Sequence, residues 1–177
     1  PAGIALGSAG LALDRAEVRA VATFHGQCRR HAVGAYHVGV GTSALCAVRG
    51  GDEIWSAVTE HTGLGAEETS EDGTISLERV ECNAACDYAP VVMVNWEFFD
   101  NQTPASAVEL VSRLERGEDV VPTRGPETLP TFRQNERLLA GFEDGRADEG
   151  VGAGEPSLLG LRIARERGWT VPTEESK

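Results

Sequence analysis

The chain has no stretch approaching the ~18 consecutive apolar residues that a membrane span requires, which leaves no direct insertion. It has no glycine-rich phosphate motif after a strand, and so no cradle for a nucleotide cofactor. Its beginning lacks the basic-then-apolar pattern of a secretion signal. Basic residues are scarce: 16 Lys and Arg against 28 Asp and Glu leave a formal charge of -12. That balance repels phosphate backbones and anionic headgroups, so nucleic-acid binding is excluded as an expectation. Four cysteines in 177 residues are too few for a disulfide scaffold. The expectation is a soluble chain in a reducing cytosol, with any membrane association made through partners.

What is present is enough apolar sequence, 41%, for one domain of ordinary size with an extension. Asp14-Arg15-Ala16-Glu17 has the form of an N-cap with an acid three residues on, and Val18, Val21 and Ala22 follow at helical spacing. Residues 14–24 therefore read as a helix, and 1–13 as a short helix or an irregular lead-in. Tyr36, Val38 and Val40 alternate with His37 and Gly39 as in a half-buried strand. Asp52 reads as the cap of a helix bearing Ile54, Trp55 and Val58, with Gly63 as its stop.

Gly65 to Gly73 reads as an acidic turn, with Glu67, Glu68, Glu71 and Asp72 solvated. Ile75, Leu77 and Val80 suggest a second strand, Val91–Val94 a third, and Asn95-Trp96-Glu97 a turn into Phe98 and Phe99. Thr103-Pro104 starts a helix that runs to Gly117. A helix between two strands favours a parallel pair, giving an α/β thioredoxin-like sandwich. The expected divisions are 1–34, a helical segment; 35–117, the α/β domain; and 118–177, an extension with helices near 133–139 and 156–167. The extension is too poor in apolar residues for its own core, and reads as a mobile tail or as a strap ordered against a partner.

Cys46 follows the first strand, and Cys82 and Cys86 follow the second, so three thiols stand on loops at strand ends. Soft sulfur donors on two converging loops suit an iron-sulfur site. Two other readings stay open at this point. The cysteines can be small buried hydrophobes, or zinc can take Cys46, Cys82, Cys86 and either Cys28 or a histidine. A dithiol oxidoreductase is disfavoured because its Cys-x-x-Cys spacing at a helix start is missing. His25 and His31 flank Cys28 beside Arg29 and Arg30, a basic stretch suited to an acidic partner surface. His37 reads as an ordinary strand histidine on the face opposite Val38.

Val21-Ala22-Thr23-Phe24, Gly41-Thr42 to Cys46, Arg49-Gly50-Gly51-Asp52-Glu53, Val80-Glu81-Cys82-Asn83-Ala84-Ala85-Cys86 and Ala89-Pro90-Val91 resemble a known family. It is the thioredoxin-like 2Fe-2S ferredoxin subunit of the NADH dehydrogenase module of respiratory complex I. The run from Asn95 to Pro104 and Pro122-Thr123-Arg124-Gly125 resembles its actinobacterial branch. Related subunits occur in NAD-linked hydrogenases and formate dehydrogenases.

The resemblance implies an accessory electron-transfer subunit, peripheral on the cytoplasmic side of a bacterial membrane. Its partners would be the flavin- and NADH-binding subunit, which holds FMN and NADH, and the large iron-sulfur subunit. It implies Cys46, Cys82 and Cys86 as ligands of a 2Fe-2S cluster, with Gly41 where the family has a fourth cysteine. It also implies an N-terminal region longer than the one seen here, and an aromatic residue at the position of Cys28. Three outcomes of Gly41 follow: loss of the cluster, leaving a structural subunit; a cluster with water, Thr42 or Ser43 on the open iron; or replacement by Cys28.

Overall fold

The computed structural model describes residues 2–152 and 154–170. The lead-in is a helix, α1 (Ala2–Leu11), followed by α2 (Arg15–Phe24). Asp14 starts α2 as its sequence predicts: its carboxylate accepts the Ala16 N–H, while the Glu17 carboxylate accepts the Asp14 N–H at 2.8 Å.

Alternation then builds β1 (Tyr36–Gly41), which pairs in parallel with β3 (Ile75–Val80) in the register Gly41 to Val80. A short β2 (Glu68–Thr69) forms within the acidic turn and lies antiparallel to β3. The hairpin β4 (Val92–Val94) and β5 (Glu97–Phe99) completes the sheet, ordered β2-β3-β1-β4-β5. Asn95 and Trp96 make its two-residue turn with φ of 51° and 69°, the left-handed pair that matches strand twist. Asn95 tolerates that backbone because its buried amide is fully used: Oδ1 accepts the His37 N–H, and Nδ2 donates to the Ala35 and Pro130 carbonyls.

Two short connections precede the main helices. After β1 the chain forms α3 (Ala44–Val48), then α4 (Gly51–Thr62); α5 (Pro104–Glu115) follows the hairpin. Asp52 is not the cap that its sequence suggested. Gly50, at φ 106°, is the N-cap, Gly51 is already helical, and Asp52 and Glu53 occupy the first turn, where negative charge suits the helix dipole. Gly63 stops α4 in the left-handed conformation, as its position predicts.

α4 and α5 pack on one face of the sheet and close the main core over Val38, Val40, Leu77, Val92 and Val94, with Ile54, Val58, Val111 and Leu114 from the helices. The other face presents His37, Glu78 and Ser76 at one end, and Gly39, Gly41, Val80 and Met93 at the other.

Past Glu115 the chain lies along its own body through the next helix. Val120 enters the main core, Thr123 N–H donates to the Phe98 carbonyl at 2.8 Å, and Phe132 N–H donates to the Ala35 carbonyl. α6 (Phe132–Leu139) begins at a Thr131 cap and is pinned by Asn135, whose amide donates to the Asn95 carbonyl. α7 (Glu155–Glu166) is further out, with Leu158, Leu159 and Leu161 exposed.

Candidate metal centre

Because β1 and β3 run parallel and end in register at Gly41 and Val80, the segments that follow them leave the sheet at the same end. The first is Gly41 to Cys46. Gly41 N–H donates to the Val91 carbonyl at 3.0 Å, and Thr42 N–H points to the Val80 carbonyl at 3.5 Å. Ser43 is the N-cap of α3, and its hydroxyl donates to Glu81 in the second segment at 2.9 Å.

Cys46 sits one turn into α3, half-buried. Beneath it, Gly51 is buried, and a Cβ there would fall 2.5 Å from the Gly41 carbonyl oxygen and 2.9 Å from the Cys46 carbonyl. Only glycine lets α4 start this close under the loop.

The second segment runs from Val80 to Tyr88. Ala84 adopts φ 57°, which turns the chain back so that Cys82 and Cys86 meet with sulfurs 3.4 Å apart. Ala84 N–H donates to the Cys82 sulfur at 3.4 Å. Cys86 begins a short 3-10 turn, Cys86–Tyr88, set on Ala85, Val91 and Met93 with Tyr88, Trp96 and Phe98 around them. Arg49 ties the two segments together by donating from Nε to the Ala89 carbonyl at 2.9 Å.

The thiols interact electrically as well. Cys86 is pushed above the ordinary thiol range, first by its hydrogen bond with Cys82 and by the Cys82 charge; burial and the charges of Cys46 and Asp87 add to the shift. Cys82 and Cys86 are thus in contact. Among the described residues, no three His, Cys, Asp or Glu side chains converge as a ready metal cage. Cys28 lies elsewhere, lining a cleft of about 190 Å³ with His25, Arg29, His31, Glu67 and Glu78. None of that cleft's lining comes from the two cysteine segments.

Spacing flagged the three thiols, and the family resemblance flagged the gap at Gly41, but neither gave a signal for the Arg49 bridge or the Ser43–Glu81 contact. Nor did either show that the extension reaches the site. Arg124 is sandwiched 4.4 Å from the Tyr88 ring and 4.2 Å from the Phe98 ring, and is paired with buried Asp100. Ser157, at the start of α7, hydrogen-bonds Asp87.

A family model for thioredoxin-like 2Fe-2S ferredoxins matches residues 3–115, and the chain belongs to that family. It is 54% identical over 173 residues to the E-type subunit of the NADH-quinone oxidoreductase of Mycobacterium tuberculosis, covering 97% of this chain and 68% of that one. It is 35% identical over 103 residues to NADH-quinone oxidoreductase subunit 2 of Thermus thermophilus, covering 58% of this chain and 57% of that one. Among solved structures, an NAD+-reducing NiFe-hydrogenase in its air-oxidized state aligns with TM-score 0.57 at 15% identity, over 65% of this chain and 20% of that chain. That last likeness is one of fold.

The donor set can be tested against a 2Fe-2S cluster. Two thiolates on one tetrahedral metal stand roughly 3.8 Å apart at a metal–sulfur distance of about 2.3 Å, the value for zinc. The Cys82–Cys86 separation of 3.4 Å suits such a pair. On the other side, a Cβ at Gly41 would lie 3.1 Å from the Cys46 sulfur, so position 41 is where a companion to Cys46 would arise, and glycine supplies no donor. The residues present fit one iron of the pair and leave the other short of a ligand.

Proposed function

We propose that this chain is an accessory electron-transfer subunit of an NADH:quinone oxidoreductase, peripheral on the cytoplasmic side of the membrane. In this reading it is held against the flavin- and NADH-binding subunit, near the large iron-sulfur subunit, and exchanges electrons with the neighbouring flavin. FMN and NADH belong to that partner, and the chain carries no complete active site of its own. Residues 35–117 carry the site; 1–34 and 118–177 flank it and meet partners. The observation that carries the proposal is 54% identity across 97% of the chain to a protein named as a subunit of that enzyme. The absence of any helix among the described residues long and apolar enough to cross a membrane is compatible with a peripheral seat.

Cys46, Cys82 and Cys86 are the proposed ligands. A 2Fe-2S cluster, where bound, supplies one-electron chemistry. The chain's own contribution is to hold sulfurs on the short helix α3 and on the Val80–Tyr88 segment, and to offer the Ala84 N–H to Cys82, a hydrogen bond of the kind that tunes a ligating sulfur.

Gly41 favours a second reading: the same seat in the same complex, filled by a structural subunit without its cluster. Iron and acid-labile sulfide analysis of the purified complex, with electron paramagnetic resonance after reduction, separates the two. A signal belonging to this subunit supports electron transfer. Its complete absence from a complex that retains the chain establishes the structural role. Gly41→Cys is expected to raise the iron bound per chain, because the new side chain starts 3.1 Å from the Cys46 sulfur. Unchanged iron would show that the missing thiol is not what limits binding. Co-purification with a nickel-iron or molybdenum subunit would move the chain to a hydrogenase or a formate dehydrogenase.

A further inference from the structure

We propose that Cys82 and Cys86 are a reversible dithiol/disulfide pair, and that the absence of a side chain at Gly41 leaves Cys46 as a lone thiol outside it. The two sulfurs stand 3.4 Å apart, and both cysteines are exposed. Forming a bond of about 2.05 Å needs an approach of roughly 1.4 Å, within reach of rotating two exposed side chains on a turn already folded back at Ala84. Ala84 and Ala85, between the two cysteines, carry only methyl groups; Ala84 is exposed and Ala85 packs into the apolar cluster with Val91 and Met93.

The other two cysteines are poorly placed to compete. The sulfur of Cys46 is directed at Gly41, which offers nothing to pair with. Cys28 belongs to the cleft that it shares with Glu67 and Glu78.

The oxidant is a low-molecular-weight disulfide such as glutathione disulfide. The Cys82 thiolate attacks one sulfur of the oxidant and expels a glutathione thiolate. The Cys86 thiolate then displaces the second glutathione and closes the Cys82–Cys86 bond. Two protein S–H bonds are lost and one S–S bond forms, while the oxidant's S–S bond is reduced and its two thiolates take up the two protons. The closed pair offers no thiolate to a metal, so oxidation and metal binding at this loop exclude each other. The pairing depends on the loop alone and holds whether or not the chain docks in an oxidoreductase.

The test uses the full chain, freed of metal by a chelator under reducing conditions, then exposed to glutathione disulfide, alkylated and mapped by mass spectrometry. The expected result is loss of two of the four thiols together, as an internal Cys82–Cys86 link reversed by dithiothreitol, with Cys28 and Cys46 still alkylated. Cys86→Ser should trap a glutathione adduct on Cys82, and Cys46→Ser should leave the link intact. Separate glutathione adducts on Cys82 and Cys86 of the unaltered chain, no loss of either thiol, or a link that includes Cys46 would each overturn the proposal.

Discussion

One face of the sheet is closed by α4 and α5 over an unbroken apolar layer, and the residues there are all but sealed from water. The opposite face is divided. At one end His37 is buried against Glu78 at 2.7 Å, with Arg29 on the same carboxylate and the Trp96 ring stacked 5.8 Å away. At the other end Gly39 and Gly41 leave the strand bare beneath the cysteine loops, and a Cβ at Gly39 would fall 2.7 Å from the Val80 side chain. The first face can hold its shape by burial alone. The second has only a smaller apolar cluster around Val91 and Met93 and adds paired charges and missing side chains, which give weaker cohesion but bring backbone and sulfurs close together.

The largest effect is expected on the apolar face. Leu77→Ala removes a fully buried side chain and is expected to cost about 2–5 kcal/mol in denaturant unfolding. A loss no larger than that of Glu78→Gln on the second face would show the apolar face to have no energetic advantage.

On the polar side, burial opposes ionisation of Glu78, but hydrogen bonds and charge from His37 and Arg29 outweigh it and hold the carboxyl at about 2, down from 4.5. A depressed carboxyl stabilises the fold above its unfolded value and loses that contribution as the pH falls through its folded one. The native chain should therefore lose stability between pH 4.5 and about 2 more steeply than Glu78→Gln does. At neutral pH that substitution is expected to cost about 1–3 kcal/mol. Parallel pH profiles would remove Glu78 from this account.

Gly51→Ala drives a methyl group to 2.5 Å from the Gly41 carbonyl, and overpacking of this kind costs about 1–3 kcal/mol. Amide exchange should quicken at Gly41 and Thr42 ahead of the core strands; uniform quickening would deny the loop its own bracing. The smallest effect is expected from Ser157→Ala, about 0.5 kcal/mol or less, read as faster exchange in α7 alone.

Much of the scaffold was legible because its signals are local. Asp14 with Glu17, and Thr103 with Pro104, name helix starts, and the alternation around Val38 names a strand; all stand where expected. Asp52 misled because a left-handed glycine can open a helix without any side-chain cap, and Gly50 does so.

The three thiols could be named from their places after the strands, and the gap at Gly41 from the family resemblance. The separation of Cys28 from their loops could not, since it depends on how residues 25–31 cross the second face. The course of the extension was illegible for a similar reason. It is held by backbone hydrogen bonds and by single contacts of Arg124, Asn135 and Ser157, which leave no periodic apolar trace.

The clamp on Arg124 joins parts of the chain that are far apart in sequence. Tyr88 closes the same short turn that Cys86 opens, so the extension and the thiol loop are coupled in series, like two links of one chain. A neighbouring protein that grips the segment beyond residue 118 would therefore bear directly on the turn that carries Cys86.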